Sequence, residues 1–217
     1  MKKQDVRDRI ERVGIVPVIR ASSSQEARLA ADAVCQGGIP IVEITITVPG
    51  ALEVISELAK TMPEVLVGVG TVLNKTMARQ CAEAGAQFLV TPGFDKPTVV
   101  EAGNLGLLMA GALTPTEVMA ARKSGADFMK VFPCGNVGGA TYLKALKGPL
   151  PQVPLVPTGG VNLDTATDYI RAGAAAFGVG GELIPKDALK APKAEVISGL
   201  AAKFVELVKD ARNRIAA

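Results

Sequence analysis

Residues 41–47 read IVEITIT, and the order of polar and apolar positions in this run sets the fold. Glu43, Thr45 and Thr47 share one parity; Val42, Ile44 and Ile46 share the other. Successive side chains of a strand point to opposite faces, so the run predicts a strand with one apolar and one polar face. The sequence on either side says what each face meets. Seven further short runs surround it: GIVPVIR (14–20), VLVGVGTV (65–72), FLVTPG (88–93), LLMAGAL (107–113), FMKVFP (128–133), LVPTGGV (155–161) and AFGVGG (176–181). A segment with helical character follows each. SSQEARLAADAVCQGG opens on serines and closes on a double glycine, the expected helix start and stop. TPTEVMAARKSGA offers Thr114 as N-cap, Pro115 at the first helical position and Glu117 as the capping-box partner.

Apolar strands alternating with helices predict a parallel sheet covered by helices. Eight such units in 217 residues predict an α/β fold of the (β/α)8 TIM-barrel type, at the short end of its size range. An open doubly wound sheet is the structural rival, but it uses about five or six strands. No linker-like segment divides the chain, so residues 1–217 read as a single barrel domain. Val6, Ile10 and Val13 at helical spacing predict an extra N-terminal helix closing the bottom of the barrel. Val196, Leu200, Phe204, Leu207 and Val208 form an apolar stripe suited to the last helix. With helices outside, IVEITIT must turn its Glu-Thr-Thr face into the barrel.

Composition narrows the chemistry. The net charge is +3, with basic residues scattered or gathered near the two ends. Such a pattern lacks the basic stripe with interleaved aromatics that nucleic-acid binding needs. The apolar runs are broken by Gly, Pro or polar residues well short of a membrane span, and MKKQDVRDRIERVG lacks the apolar core of a secretion signal. Cys35, Cys81 and Cys134 have no C-x-x-C spacing and suit a reducing cytoplasm. There is no histidine, which removes Ser-His and Cys-His nucleophile pairs and His-ligated zinc. Acid–base work falls to Glu, Asp, Lys, Tyr or Cys.

FMKVFP then poses a problem, because Lys130 sits in the middle of a buried strand. Burying an unpaired ammonium group costs several kcal/mol. A buried ion pair with Glu43 is the purely structural answer. The chemical answer is stronger, because perturbed groups gather at active sites. Desolvation disfavours the ammonium form, and a neutral amine adds to a ketone and expels water to give a Schiff base. Glu43 then moves protons in place of the missing histidine. Thr71, Thr91 and Thr158 lie at C-terminal strand ends, where barrels of this type build their sites, although threonine is also simply a good strand former. PTGGVN (157–162) after the seventh strand and GVGGEL (178–183) after the eighth are placed to cradle a phosphate.

VEIT, GVGTVL, TPG, MKVFPCG and VPTGGV, in this order and spacing, resemble the class I 2-keto-3-deoxy-6-phosphogluconate (KDPG) aldolases. The related 4-hydroxy-2-oxoglutarate (KHG) aldolases share the pattern, which here spans residues 13–185. The resemblance implies a (β/α)8 fold, a homotrimer and no metal or organic cofactor. It puts the Schiff-base lysine at Lys130, the acid–base glutamate at Glu43, a pyruvate-binding threonine at Thr71 and a pocket-lining proline at Pro92. Phosphate-contacting glycines fall on Gly159, Gly160, Gly180 and Gly181, next to Thr158. Two positions depart from it. Thr47 stands where many members carry an arginine that grips the keto-acid carboxylate, and Arg20 is the candidate replacement, since guanidinium matches carboxylate geometry. Glu182 stands where a small residue often sits, and a carboxylate there repels phosphate unless it turns away.

The sequence therefore predicts a Schiff-base aldolase that cleaves KDPG to pyruvate and glyceraldehyde 3-phosphate. Cleavage of an unphosphorylated keto acid such as 4-hydroxy-2-oxoglutarate is the nearer rival. A phosphate-binding barrel isomerase or synthase with a non-covalent Lys130, and an oligomerising scaffold, are the more distant ones.

Overall fold

The computed structural model describes residues 1–190 and 193–216. Eight strands run in chain order: β1 (Ile15–Ile19), β2 (Ile41–Thr45), β3 (Leu66–Gly70), β4 (Phe88–Val90), β5 (Leu107–Gly111), β6 (Phe128–Val131), β7 (Leu155–Pro157) and β8 (Phe177–Val179). Before them comes α1 (Lys3–Val13). Between and after them come α2 (Ser24–Gln36), α3 (Ala51–Thr61), α4 (Lys75–Glu83), α5 (Lys96–Leu105), α6 (Pro115–Lys123), α7 (Gly139–Lys147), α8 (Ala166–Arg171), α9 (Lys186–Lys190) and α10 (Ala194–Ala216). The sheet order is β7-β6-β5-β4-β3-β2-β1-β8, and all of these neighbours pair in parallel. The ring closes between β7 and β8 through one isolated parallel bridge, Thr158 with Gly178, and through the Ala175 N–H, which donates to the Leu155 carbonyl at 2.9 Å. This is a (β/α)8 barrel with an extra N-terminal helix.

The strands are buried along their whole length, as expected for a parallel sheet wrapped in helices. Helix starts follow their local chemistry. The Ser23 hydroxyl accepts from the Glu26 N–H at the start of α2. Thr114 and Glu117 form the reciprocal capping box of α6, with Pro115 just inside. Val6 and Ile10 bury the inner face of α1. That helix is pinned across the N-terminal ends of the strands. Arg9 donates to the carbonyls of Pro40 and Glu64, Lys3 pairs with Asp127 at 2.9 Å, and the Arg7 guanidinium lies 5.5 Å from the Phe128 ring centre. The barrel floor is shut.

Two expectations are corrected. The apolar stripe of the last helix keeps Phe204 and Val208 buried, with Leu200 and Leu207 packed at its edge, but Val196 is exposed and Ile197 and Ala201 take the buried positions at its start. β2 stops at Thr45, and Thr47 lies in the following turn rather than on the strand. The Val48 N–H donates to the Thr45 carbonyl at 3.0 Å, and Pro49 has no N–H with which to continue a ladder.

Candidate active site

The register of the sheet sets the site. Lys130 pairs with Gly111 on one side and Val156 on the other, while Glu43 pairs with Val18 and Gly68. Both side chains are almost wholly enclosed, Lys130 at 4% and Glu43 at 2% exposure. Lys130 Nζ stands 3.5 Å from Glu43 Oε1. A charge-assisted N–H···O bond is about 2.7–2.9 Å long, so the two groups are in electrostatic contact without a hydrogen bond. Oε1 has no hydrogen-bond partner at all. A buried carboxylate oxygen left in this state is costly. Lys130 Nζ also lies 5.6 Å from the centre of the Phe132 ring, just beyond the end of the same strand.

Glycines make the room. A Cβ on Gly70 would run into the Glu43 carboxylate, 2.8 Å from Cδ, so only glycine at the end of β3 lets that carboxylate lie where it does. A Cβ on Gly68 would run into the Phe88 ring, which therefore packs across β3 at the level of Glu43 and forms an apolar floor. A Cβ on Gly111 would overlap the backbone of Pro92 and Gly93. The β4–α5 loop thus folds down onto the strand that pairs with Lys130. Thr91 fastens it there: its hydroxyl donates to the Gly93 carbonyl at 2.9 Å and accepts from the Gly111 N–H at 3.0 Å.

Thr71 follows β3 with φ at +65°, a left-handed conformation that a β-branched residue rarely adopts. Backbone strain of this kind costs about 1–3 kcal/mol and collects at functional sites. At the end of β2, the Thr45 hydroxyl donates its only proton to the Ile19 carbonyl at 3.1 Å. The 2.9 Å contact between Thr45 and Thr47 must then have Thr47 as donor. The Thr47 hydroxyl is committed inward, so it offers a carboxylate no proton.

The glycine segments meet on the far side of the same barrel mouth. Gly159 and Gly160 have φ of +83° and +78°, which glycine tolerates without strain. Buried Thr158 lies against Gly178, where a Cβ would meet its hydroxyl and methyl. The β6 loop rests on this segment: the Cys134 N–H donates to the Thr158 carbonyl and the Gly135 N–H to that of Gly159, at 2.9 and 2.8 Å. Gly180 and Gly181 follow β8, and no side chain overlies Gly181 within 4 Å. The Arg20 guanidinium lies beside Gly180, Nη1 being 3.3 Å from where a Cβ would stand. Its β1–α2 loop is held by Glu26, whose carboxylate accepts from the Ser22 N–H and hydroxyl at 2.7 and 2.8 Å. These bonds hold the Glu26 carboxyl below its usual range. Glu182 is exposed in the turn after β8.

Other nucleophiles are weak. Burial pushes the Cys134 thiol up, and the Cys35 and Cys81 thiols up to about 12 and about 11. Thiolate is therefore scarce at neutral pH. Among the described residues no group of three or more His, Cys, Asp or Glu is arranged to hold a metal ion.

The structure thus brings Lys130 and Glu43 together, sets Thr71 and Pro92 on the rim beside them, and sets Gly159, Gly160, Gly180, Gly181, Thr158 and Arg20 across the seam of the barrel. Gly70 and Gly111 support the site, and neither is among the residues expected from the sequence. A glycine inside or closing a strand marks a close approach, and that signal is present at both.

Comparison with known proteins bears on nearly the whole chain. The family described as "Aldolase: KDPG and KHG aldolase" matches residues 6–200. The KHG/KDPG aldolase of Escherichia coli K12 is 36% identical over 197 residues, covering 90% of this chain and 92% of that protein. The KDPG aldolase of Legionella pneumophila, solved with pyruvate captured as a covalent carbinolamine intermediate, superimposes with a TM-score of 0.84 at 30% identity, covering 91% of this chain and 96% of that one. A cube-shaped cage designed by fusing symmetric oligomeric domains gives a TM-score of 0.86 at 27% identity, covering 94% of this chain and 75% of that one.

Proposed function

This chain belongs to the KDPG and KHG aldolase family of carbon–carbon lyases, and on that premise we propose that it cleaves KDPG to pyruvate and glyceraldehyde 3-phosphate through a Schiff base on Lys130. The observation that carries the proposal is the enclosed pair itself, an amine 3.5 Å from a carboxylate oxygen that nothing else engages.

The amine of Lys130 attacks the C2 ketone, giving a carbinolamine that loses water to an iminium. Glu43 takes the proton of the C4 hydroxyl as the C3–C4 bond breaks. The bonding pair moves into the enamine, and glyceraldehyde 3-phosphate leaves. Protonation of the enamine at C3 by the same carboxyl, followed by hydrolysis, releases pyruvate and restores the amine. The unengaged Oε1 suits both proton transfers, because no bond has to be broken before it can accept.

Thr71 and Pro92 take the pyruvyl end, where Thr71 holds its left-handed backbone directly after β3. Gly159, Gly160, Gly180 and Gly181, beside Thr158, take the phosphate. Arg20 was expected at the keto-acid carboxylate; its position beside Gly180 supports a role at the phosphate end instead, and Thr47, with its proton committed to Thr45, is a weak carboxylate ligand. KHG is a second substrate, supported by the double name of the Escherichia coli relative. The active assembly is a homotrimer, for which exposed Leu73, Val100 and Met119, on the rim before α4 and on neighbouring α5 and α6, supply apolar surface. No described helix is long and apolar enough to cross a membrane, and three free cysteines suit a reducing cytoplasm.

Borohydride reduction in the presence of pyruvate tests the covalent step. A single stable adduct is expected on Lys130, and Lys130→Arg should abolish both adduct and turnover, because guanidinium does not deprotonate. An adduct on Lys144 or Lys147, or none, would overturn the mechanism.

A further inference from the structure

A cavity of about 400 Å³ opens on the same rim as the glycine loops, and Arg20, Ser22, Glu26, Lys186, Leu189 and Lys190 line it. Its walls come from the β1–α2 loop and from α9, the helix that directly follows the turn after β8. Three of these side chains are cations and one is a carboxylate, so the cavity carries an excess of positive charge. Glu26 is held ionised by two hydrogen bonds from Ser22 and feels the charge of Lys190, so it offsets one of the three cations and the other two remain in excess. Arg20 joins this cavity to the barrel mouth, since its guanidinium lies against Gly180. A wall built this way is more than a solvated charged face. It is concave, it has an apolar side in Leu189, and one of its cations reaches the glycine segment of the eighth strand.

We infer that Lys186 and Lys190, with Arg20, form the charged part of the phosphate subsite and set the preference for substrates that end in a phosphate monoester. The inference rests on the aldolase reading above and extends it to residues outside the glycine segments. A phosphate monoester carries a charge of roughly −1.5 to −2 at neutral pH. Glycine N–H groups orient such an anion but supply only partial charge; the excess of cations in this cavity matches the remainder. It also accounts for Glu182. That carboxylate is exposed and does not line the cavity, while Lys186, one turn further along, does. The repulsion expected from Glu182 is therefore outweighed at the position where the phosphate would sit. Lysine suits this duty as a mobile point charge that follows a tetrahedral anion, with Arg20 giving the directional contact.

The test compares Lys186→Ala, Lys190→Ala and the double substitution with the parent. Both positions are exposed on a short surface helix. For KDPG the expected result is a rise in KM of about 10-fold per lysine with kcat largely kept, equivalent to about 1.4 kcal/mol each. Binding of inorganic phosphate, followed by calorimetry, should weaken in parallel and lose part of its salt dependence. Cleavage of KHG, which has no phosphate, should keep its KM. The phosphate-binding arm needs no turnover, so it judges the subsite even if the aldolase reading fails, and that reading is judged separately by the pyruvate adduct on the parent. Parental KM for KDPG and parental phosphate affinity in the double variant would overturn the inference. Equal losses with KDPG and KHG would also overturn it, because the lysines would then not be reading the phosphate.

Discussion

At 3.5 Å, the contact between Lys130 and Glu43 is close enough for each charge to feel the other and too long to fix a proton between them. Such a spacing suits the acid–base role proposed for Glu43, and a structural counter-ion would show the same distance, so a substitution must tell the two apart. Glu43→Gln keeps size and one acceptor while removing the base. If Glu43 shuttles protons, kcat should fall by about 10²–10⁴-fold, the pyruvate adduct should still form slowly, and exchange of the pyruvate C3 protons should stall. If it only balances a charged Lys130, the variant should melt early and exchange protons at the parental rate, and that result would sink the assignment. Both residues were legible in the sequence, because a charge inside an apolar strand has few explanations. Thr47 was less so: parity put it inside the barrel, but the strand ends at Thr45 and the turn hands its proton to a neighbour. Arg20 was legible as a rim residue, while the direction of its long side chain was not, since that depends on Gly180 in a segment far along the chain.

Loops, more than strands, decide how this barrel mouth is shaped, and two glycines show the difference between a needed and an idle one. Gly111 ends β5 under the backbone of Pro92 and Gly93. A backbone cannot step aside as a flexible side chain can. Gly111→Ala should therefore destabilise the protein by about 1–3 kcal/mol and raise KM for pyruvate in the exchange reaction, because the Pro92 loop is lifted from the site. Gly199 lies in α10, and nothing stands within 4 Å of the place a methyl group would occupy. Gly199→Ala should raise stability by up to about 1 kcal/mol through helix propensity alone, with kinetics unchanged. Thermal melting of the pair checks both, and a Gly111→Ala protein as stable and active as the parent would remove the steric argument. Strand and helix identities were visible from period and caps, as at Thr114–Glu117. The Thr91 clasp on the loop was not, because its two hydrogen bonds reach the chain at Gly93 and at Gly111, and the second partner is distant in sequence.

At the scale of the whole molecule, the repeat of strand and helix was readable because every unit needs the same apolar cover, and eight repeats leave little choice of architecture. How the ring closes was not readable, since β7 and β8 are short and their pairing depends on the other six strands having set the curvature. That closure rests on the bridge of Thr158 with Gly178 and on the Ala175 N–H. Few backbone bonds across a seam mean a low free energy for opening it, so amide hydrogens flanking β7 and β8 should exchange faster than those between β2 and β3. The two proposed phosphate-binding glycine pairs hang from opposite lips of this seam, Gly159 and Gly160 from one and Gly180 and Gly181 from the other. An anion held by both is then a clasp on a bracelet: binding and ring closure become one equilibrium. Saturating inorganic phosphate should slow exchange along β7 and β8 selectively, and uniform protection over the whole barrel would contradict this. The substrate, on this view, is the last stave of the barrel it enters.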